Sequence, residues 1–183
     1  MAATLSHMME LGTPAPDFSL LDVVSDQTIS LDESKSDTAT VVIFICNHCP
    51  YVKHINAKLV EAANKYQPKG VKFFAISSND VTTHPQDGPE FMKAVAEKEN
   101  YPFPYLYDET QEVAKAYGAA CTPDLFMFDK EMKCVYRGQF DSSRPGKGEA
   151  TGEDLIRALD AVLSGKKPSP DQKPSIGCGI KWK

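Results

Sequence analysis

Long hydrophobic runs are missing from this 183-residue chain: no stretch approaches the ~20 apolar residues that a membrane-spanning helix requires. Basic excess is missing as well. Lys and Arg number 20 against 25 Asp and Glu, a net charge of −5. A chain of that sign is expected to take neither nucleic acid nor an anionic membrane surface as its main partner. Cysteine is scarce and odd in number, five residues, which excludes a scaffold built on disulfides. Eleven glycines and thirteen prolines are ordinary for this length and exclude collagen-like and low-complexity chains. No internal repeat is present. Met1 to Leu11 contains no Lys or Arg and no apolar core, so no secretory signal is expected and the expected compartment is the cytoplasm. There, paired cysteines tend to be catalytic or metal-binding rather than structural.

What remains is one soluble α/β domain with 42% hydrophobic and 25% charged residues, long enough to bury a core without staples. Residues 1–14 read as a loose, polar start. Asp17 to Val24 and Gln27 to Leu31 alternate as a small hairpin across Ser25-Asp26. Thr40 to Ile45 is a continuous β-branched and aromatic run, the pattern of a strand buried on both faces of a parallel or mixed sheet. From Pro50, the positions Val52, Ile55, Leu59, Ala62 and Tyr66 recur at helical spacing, and Pro68 and Gly70 stop the helix. Val71 to Ser77 is the next strand, parallel to the first. Pro89 to Asn100 is predicted helical with Phe91 and Val95 inward, and Tyr105 to Tyr107 extended. Asp108 is predicted to cap a further helix, with Gln111 as its capping-box partner and Gly118 beyond its end. Leu125 to Phe128 and Lys133 to Gly138 pair as an antiparallel hairpin. A last helix opens at Thr151, with Leu155, Leu159 and Val162 on one face. The domain is expected to span residues 1–164. The tail, 165–183, holds three prolines and five lysines together with Ile176, Ile180 and Trp182. Those apolar residues suit a tail that packs on the domain, with Trp182 largely buried.

Cys46-Asn47-His48-Cys49 carries the chemistry. In a first helical turn, cysteines three apart lie within the ~4.4–6.8 Å between Cα atoms that a disulfide spans, so the pair can open and close with little backbone movement. A cysteine at the very start of a helix meets unpaired N–H groups and the positive end of the dipole, which favour thiolate. Cys46 is therefore expected to be the acidic, attacking thiol. His48 adds positive charge when protonated. Cys49, one turn in, is expected to be less acidic and to resolve. Thr122-Pro123 precedes a strand and is expected to be cis, facing the cysteines, with the Thr122 backbone free to pair with an extended substrate. Cys121 and Cys178 are candidate additional redox thiols, against readings as a small buried side chain and a tail thiol. Cys134 reads as core, and His54 and His84 as surface. A metal site would draw on Cys46, Cys49 and a histidine, with Cys121, His48 or His54 as the further ligands to recruit. No second Cys-x-x-Cys or His-x-x-x-His supplies further ligands, so neither metal nor cofactor is expected.

A buried strand ending in Cys-x-x-Cys, a helix, a crossover strand and a later Thr-Pro resemble the thioredoxin fold. The opening Pro14-Ala15-Pro16-Asp17-Phe18-Ser19-Leu20 resembles those of peroxiredoxins and membrane-tethered thiol–disulfide oxidoreductases. Over nearly its whole length, the chain resembles the peroxiredoxin-like group of the alkyl hydroperoxide reductase/thiol-specific antioxidant superfamily. The likeness runs through Cys46-Asn47-His48-Cys49-Pro50, Tyr101-Pro102-Phe103-Pro104-Tyr105, Cys121-Thr122-Pro123-Asp124 and Gly177-Cys178-Gly179-Ile180-Lys181-Trp182-Lys183. The resemblance implies a thioredoxin-like α/β fold: a central mixed sheet flanked by helices, with an N-terminal hairpin and a C-terminal extension. It implies thiol–disulfide oxidoreductase activity on Cys46 and Cys49, with protein or small-molecule thiols and disulfides as partners. Peroxidase activity is a separate expectation. Peroxiredoxins carry Pro-x-x-x-Thr-x-x-Cys; setting that cysteine on Cys49 places Val42 and Cys46 at the Pro and Thr positions, and setting it on Cys46 places Ala39 and Ile43 there. Neither register brings a hydroxyl, so a peroxidase acting on peroxides would need a relocated peroxidatic cysteine. Thr40 stands where thioredoxins carry a buried Asp.

Overall fold

The described residues, 3–183, of this computed structural model form ten strands and five α-helices. The first half contains β1 (Ala3–Leu5), β2 (Ser19–Asp22), β3 (Thr28–Ser30), α1 (Leu31–Ser34), β4 (Ala39–Phe44), α2 (Pro50–Tyr66), β5 (Val71–Ser77) and α3 (Pro89–Lys98). The second contains β6 (Tyr105–Tyr107), α4 (Glu112–Tyr117), β7 (Cys121–Thr122), β8 (Asp124–Asp129), β9 (Cys134–Gly138), α5 (Glu153–Leu163) and β10 (Ile176–Gly179). Seven strands make one mixed sheet in the order β3-β2-β6-β5-β4-β8-β9. Within it β4, β5 and β6 run parallel and the remaining pairings are antiparallel.

All six residues of β4 are buried because the sheet is covered on both sides. Successive side chains point to opposite faces. Val41 and Ile43 join Leu59, Leu155 and Leu159 under α2 and α5. Val42 and Phe44 join Phe18, Phe74, Tyr117, Phe126 and Phe128 on the other side. Tyr117 centres that aromatic layer, its ring edge-on to Phe44 and Phe126 at 5.5 and 5.2 Å. The hairpin of β2 and β3 is held by Asp22, whose carboxylate accepts from the N–H of Val24 and Ser25 and from the Ser25 hydroxyl.

Three local expectations are corrected. In α3 the buried residues are Met92 and Ala96, while Phe91 is 53% exposed. Positions 91/95 and 92/96 are equally helical in spacing. The layer beneath is already filled by Phe73, Phe103 and Tyr105, so it admits a flexible Met and a small Ala and turns the ring outward. Asp108 does cap α4, accepting from the N–H of Ala114 at 2.9 Å, but Gln111 closes no capping box. It occupies the N-cap itself at φ 65, and its amide donates to the carbonyls of Ser78 and Lys181. Residues 3–5 are not loose. Strand β1 pairs antiparallel with β10, which pairs in turn with β7, a second sheet in the order β1-β10-β7. Met1 and Ala2 of the expected loose start lie outside the described residues.

The tail is fixed mostly through its backbone. Ile180 N–H donates to Ala120, Lys181 N–H to the Asn79 side chain, and Lys183 N–H to the Gln111 side chain. Ile180 is buried, but Trp182 is 43% exposed, a correction to its expected burial. With the chain already held by these bonds, the indole lies on the surface beside Lys115, whose Nζ is 6.0 Å from the ring centre. Two further segments run along the outer side of β9. Residues 12–15 exchange backbone bonds with Cys134 and Met132, and Gln172, Lys173 and Ser175 bond to Arg137, Gln139 and Gly138.

Candidate redox site

Strand β4 ends at Phe44, and a short loop carries Cys46 to Cys49 before α2 begins at Pro50. Cys49 is the N-cap residue, with φ −65 and ψ 121. This shifts the expected geometry by three residues. Cys46 lies ahead of the helix instead of opening it, and Cys49 stands at the first turn, where the unpaired N–H groups are.

The acidity order reverses accordingly. The hydrogen bond from Cys46 is the strongest influence on Cys49 and pulls its thiol down to about 5, against burial and with further help from Thr122, Cys178 and Val52 N–H. Cys46 is pushed upward by that same bond, by burial and by the nearby Asp87 carboxylate. The two thiols therefore share one negative charge, held on Cys49, with Cys46 as its donor. As a neutral thiol, Cys49 instead donates to the Thr122 carbonyl, 3.1 Å away.

Asp87 was not singled out by the sequence. It lies in a polar loop as Pro85-Gln86-Asp87-Gly88, where turn formation is the ordinary role of such a residue. In the fold it is fully buried and accepts from Asn47 N–H at 2.9 Å, Asn79 Nδ2 at 2.8 Å and His48 Nδ1 at 2.6 Å. Nothing in its local pattern announces partners forty residues away. The same His48 nitrogen is 3.8 Å from Cys46 Sγ, so any charge on the ring is paired with Asp87 first. The ring stacks on His84 at 5.2 Å, and its Nε2 is buried without a hydrogen-bond partner. Cys46, His48 and Asp87 offer donor atoms within 4.8 Å of one another, the one such cluster among the described residues. It differs from the expected metal set, because Asp87 takes the place of Cys49. His54 is elsewhere, bonded to Ser143 at 2.8 Å.

Thr122-Pro123 is cis and faces the cysteines. Thr122 Oγ1 lies 3.5 Å from Cys46 Sγ. Next to it, Asp124 accepts from both terminal guanidinium nitrogens of buried Arg137 and from the Ala120 N–H, anchoring the strand that carries the turn. The Thr122 backbone is not open to an extended substrate as expected. Strand β10 already lies on it, Cys178 opposite Thr122. A Cβ on Gly177 would stand 2.0 Å from the Thr122 carbonyl oxygen, so only glycine permits this approach. Cys178 thereby meets Cys49, and Cys46, Cys49 and Cys178 belong to one buried cluster. Cys121 is buried beside Pro123, its thiol pushed up by burial and by Asp124. Cys134 lies in the opposite aromatic layer, pushed up to about 11 by burial. All five cysteines are free thiols. A narrow cleft of about 20 Å³ opens beside Pro123, between Tyr51 and His54 of α2 and Ile176 of β10.

The AhpC/TSA family model matches residues 11–137. The chain is 26% identical over 159 residues to the thiol-disulfide oxidoreductase ResA of Bacillus thuringiensis subsp. konkukian, covering 87% of this chain and 82% of that protein. An uncharacterized conserved protein from Geobacillus kaustophilus has a structure that superposes with a TM-score of 0.98 at 59% identity, over 100% of this chain and 97% of that one. A putative thioredoxin from Neisseria meningitidis superposes at 0.64 with 23% identity, over 82% of this chain and 89% of that one. The fold is thioredoxin-like, with the expected mixed central sheet flanked by helices.

Proposed function

The chain belongs to the AhpC/TSA family, and from that premise we propose that it is a thiol–disulfide oxidoreductase whose exchange pair is Cys46 and Cys49. The observation that carries this reading is the pair itself: two free thiols in one buried cluster at a strand-to-helix junction, both in contact with Thr122 of a cis Thr-Pro turn. The printed name of the Bacillus relative supports it.

Cys46 attacks a substrate disulfide while its proton passes to the Cys49 thiolate, the acceptor it already faces. A bond forms between Cys46 and one substrate sulfur, and the other sulfur leaves as a thiolate that is then protonated. Cys49 next gives up its proton and attacks the Cys46 sulfur. The Cys46–Cys49 disulfide forms and the second substrate thiol departs. Two protein thiols are oxidised and one substrate disulfide is reduced; the reverse sequence oxidises substrate dithiols. Partners are thiols and disulfides, of proteins or small molecules.

The test is exchange with a small aromatic disulfide. Cys46→Ser abolishes turnover, and Cys49→Ser accumulates mixed disulfides on Cys46. Turnover that survives Cys46→Ser, or purified protein holding stoichiometric metal that blocks alkylation of Cys46, overturns the reading. A second reading, thiol-dependent peroxidase, is favoured by one contact: Thr122 brings to Cys46, from another strand, the hydroxyl that neither register of the peroxiredoxin spacing supplies. Catalytic consumption of hydrogen peroxide with a dithiol reductant tests it.

A further inference from the structure

Strand β10 occupies the place where an extended substrate would pair with a cis Thr-Pro turn. Its register sets Cys178 opposite Thr122, and Gly177 allows a backbone approach that any side chain would block. Cys178 lies in the same buried cluster as Cys46 and Cys49, close enough to influence the Cys49 thiol, and Cys49 lies 3.1 Å from the Thr122 carbonyl. The chain thus presents to its own redox pair an extended segment with a thiol at its centre.

We propose that Cys178 is a third redox thiol of the reaction, exchanging with Cys46 for Cys49, so that the oxidised protein carries its disulfide either as Cys46–Cys49 or as Cys49–Cys178. The inference rests on the reading of Cys46 and Cys49 as an exchange pair. In the step, the Cys178 sulfur attacks the Cys49 sulfur of the Cys46–Cys49 disulfide. The Cys49–Cys178 bond forms as the Cys46–Cys49 bond breaks. Cys46 leaves as a thiolate and takes the proton that Cys178 gives up, with no net oxidation.

Electrostatics favour this order. In the dithiol state, burial and the hydrogen bond to Cys49 push Cys178 up to about 12. Once Cys49 is in a disulfide its negative charge is gone, and the two contributions that come from Cys49 go with it. Lys181 still favours the Cys178 thiolate. Cys178 is therefore a weak nucleophile while the pair is reduced and a stronger one after it has been oxidised. The result is an internal mixed disulfide that returns Cys46 to the thiol form and ties β10 to the start of α2.

The experiment oxidises the full chain with oxidised glutathione, then maps disulfides by mass spectrometry without reduction. Wild type gives both the Cys46–Cys49 and the Cys49–Cys178 peptide pairs, and Cys178→Ser gives the first alone. Cys46→Ser gives neither pair, because the thiol that takes up the glutathione is missing. Cys46→Ala repeats the measurement, with circular dichroism to establish folding. Formation of Cys46–Cys49 without any Cys49–Cys178 in wild type overturns the proposal and leaves the exchange pair standing. A Cys49–Cys121 pair in place of Cys49–Cys178 also overturns it. Absence of Cys46–Cys49 from wild type and Cys178→Ser overturns the exchange-pair reading itself.

Discussion

A carboxylate with no exposure to water, bonded to three donors, stands beside a thiol that must ionise. Asp87 holds the loop through Asn47 and His48, and its charge raises the cost of a thiolate on Cys46. Asp87→Asn keeps the shape and removes the charge. In a Cys49→Ser background, where Cys46 titrates alone, Asp87→Asn shifts the pH profile of Cys46 alkylation to lower pH. An unshifted profile would remove Asp87 from the electrostatics. Cys49 makes a second prediction. Its thiol titrates near 5 in the folded protein and at 9.0 without a fold around it. Between those values the unfolded chain binds more protons, so folding of the reduced protein strengthens as pH rises from about 5 to about 9 and loses that contribution as pH falls. Cys46, raised in the fold, is neutral in both states until pH nears 9.0, where its unfolded form ionises and begins to offset the gain. Urea midpoints of reduced wild type, compared with Cys49→Ser, should diverge with increasing pH. The sequence brought Cys46, Cys49, Thr122 and Pro123 together correctly in space. It misplaced the charge: Cys46 itself is the strongest influence drawing it onto Cys49, and the helix, which begins only at Pro50, is a minor one.

Helices and strands differ in how openly they announce themselves. The doubly buried β4 and the regular face of α2 are legible because each is long and its pattern unambiguous. The ten residues of α3 offer two adjacent apolar phases, and only the filled aromatic layer below decides between them. Met92→Ala is expected to cost about 2–5 kcal/mol by opening a cavity, while Phe91→Ser at the exposed position stays within about 0.5 kcal/mol. Chemical denaturation of the two variants checks the phase, and equal losses would contradict it. Strand β10 is a different case. Its apolar residues hint at packing, but its partners β1 and β7 lie far away in sequence and carry no turn signal linking them to it. The glycine on either side of Cys178 is the trace left by that contact, and it becomes readable only once the Thr122 carbonyl is seen against Gly177.

At the scale of the whole molecule, the order of the central strands follows from the strand–helix–strand pattern and a late hairpin, both visible in the sequence. The second sheet, which joins the two ends of the chain over the thiols, is not. One consequence concerns solution behaviour. Strand β9 ends the large sheet, and an uncovered terminal strand offers a row of free N–H and C=O groups to any neighbouring chain. Here residues 12–15 close one half of that row and residues 172–175 the other. The tail is therefore a guard against self-templating as well as a support for the thiols. A chain ending at Asp171 would leave Arg137 to Gln139 without these partners and would also strip β1 and β7 of β10. Such a chain is expected to associate strand to strand in a concentration-dependent way. Light scattering and sedimentation velocity would register that association where the full chain shows none, and equal sedimentation of the two proteins would deny the tail this guarding role.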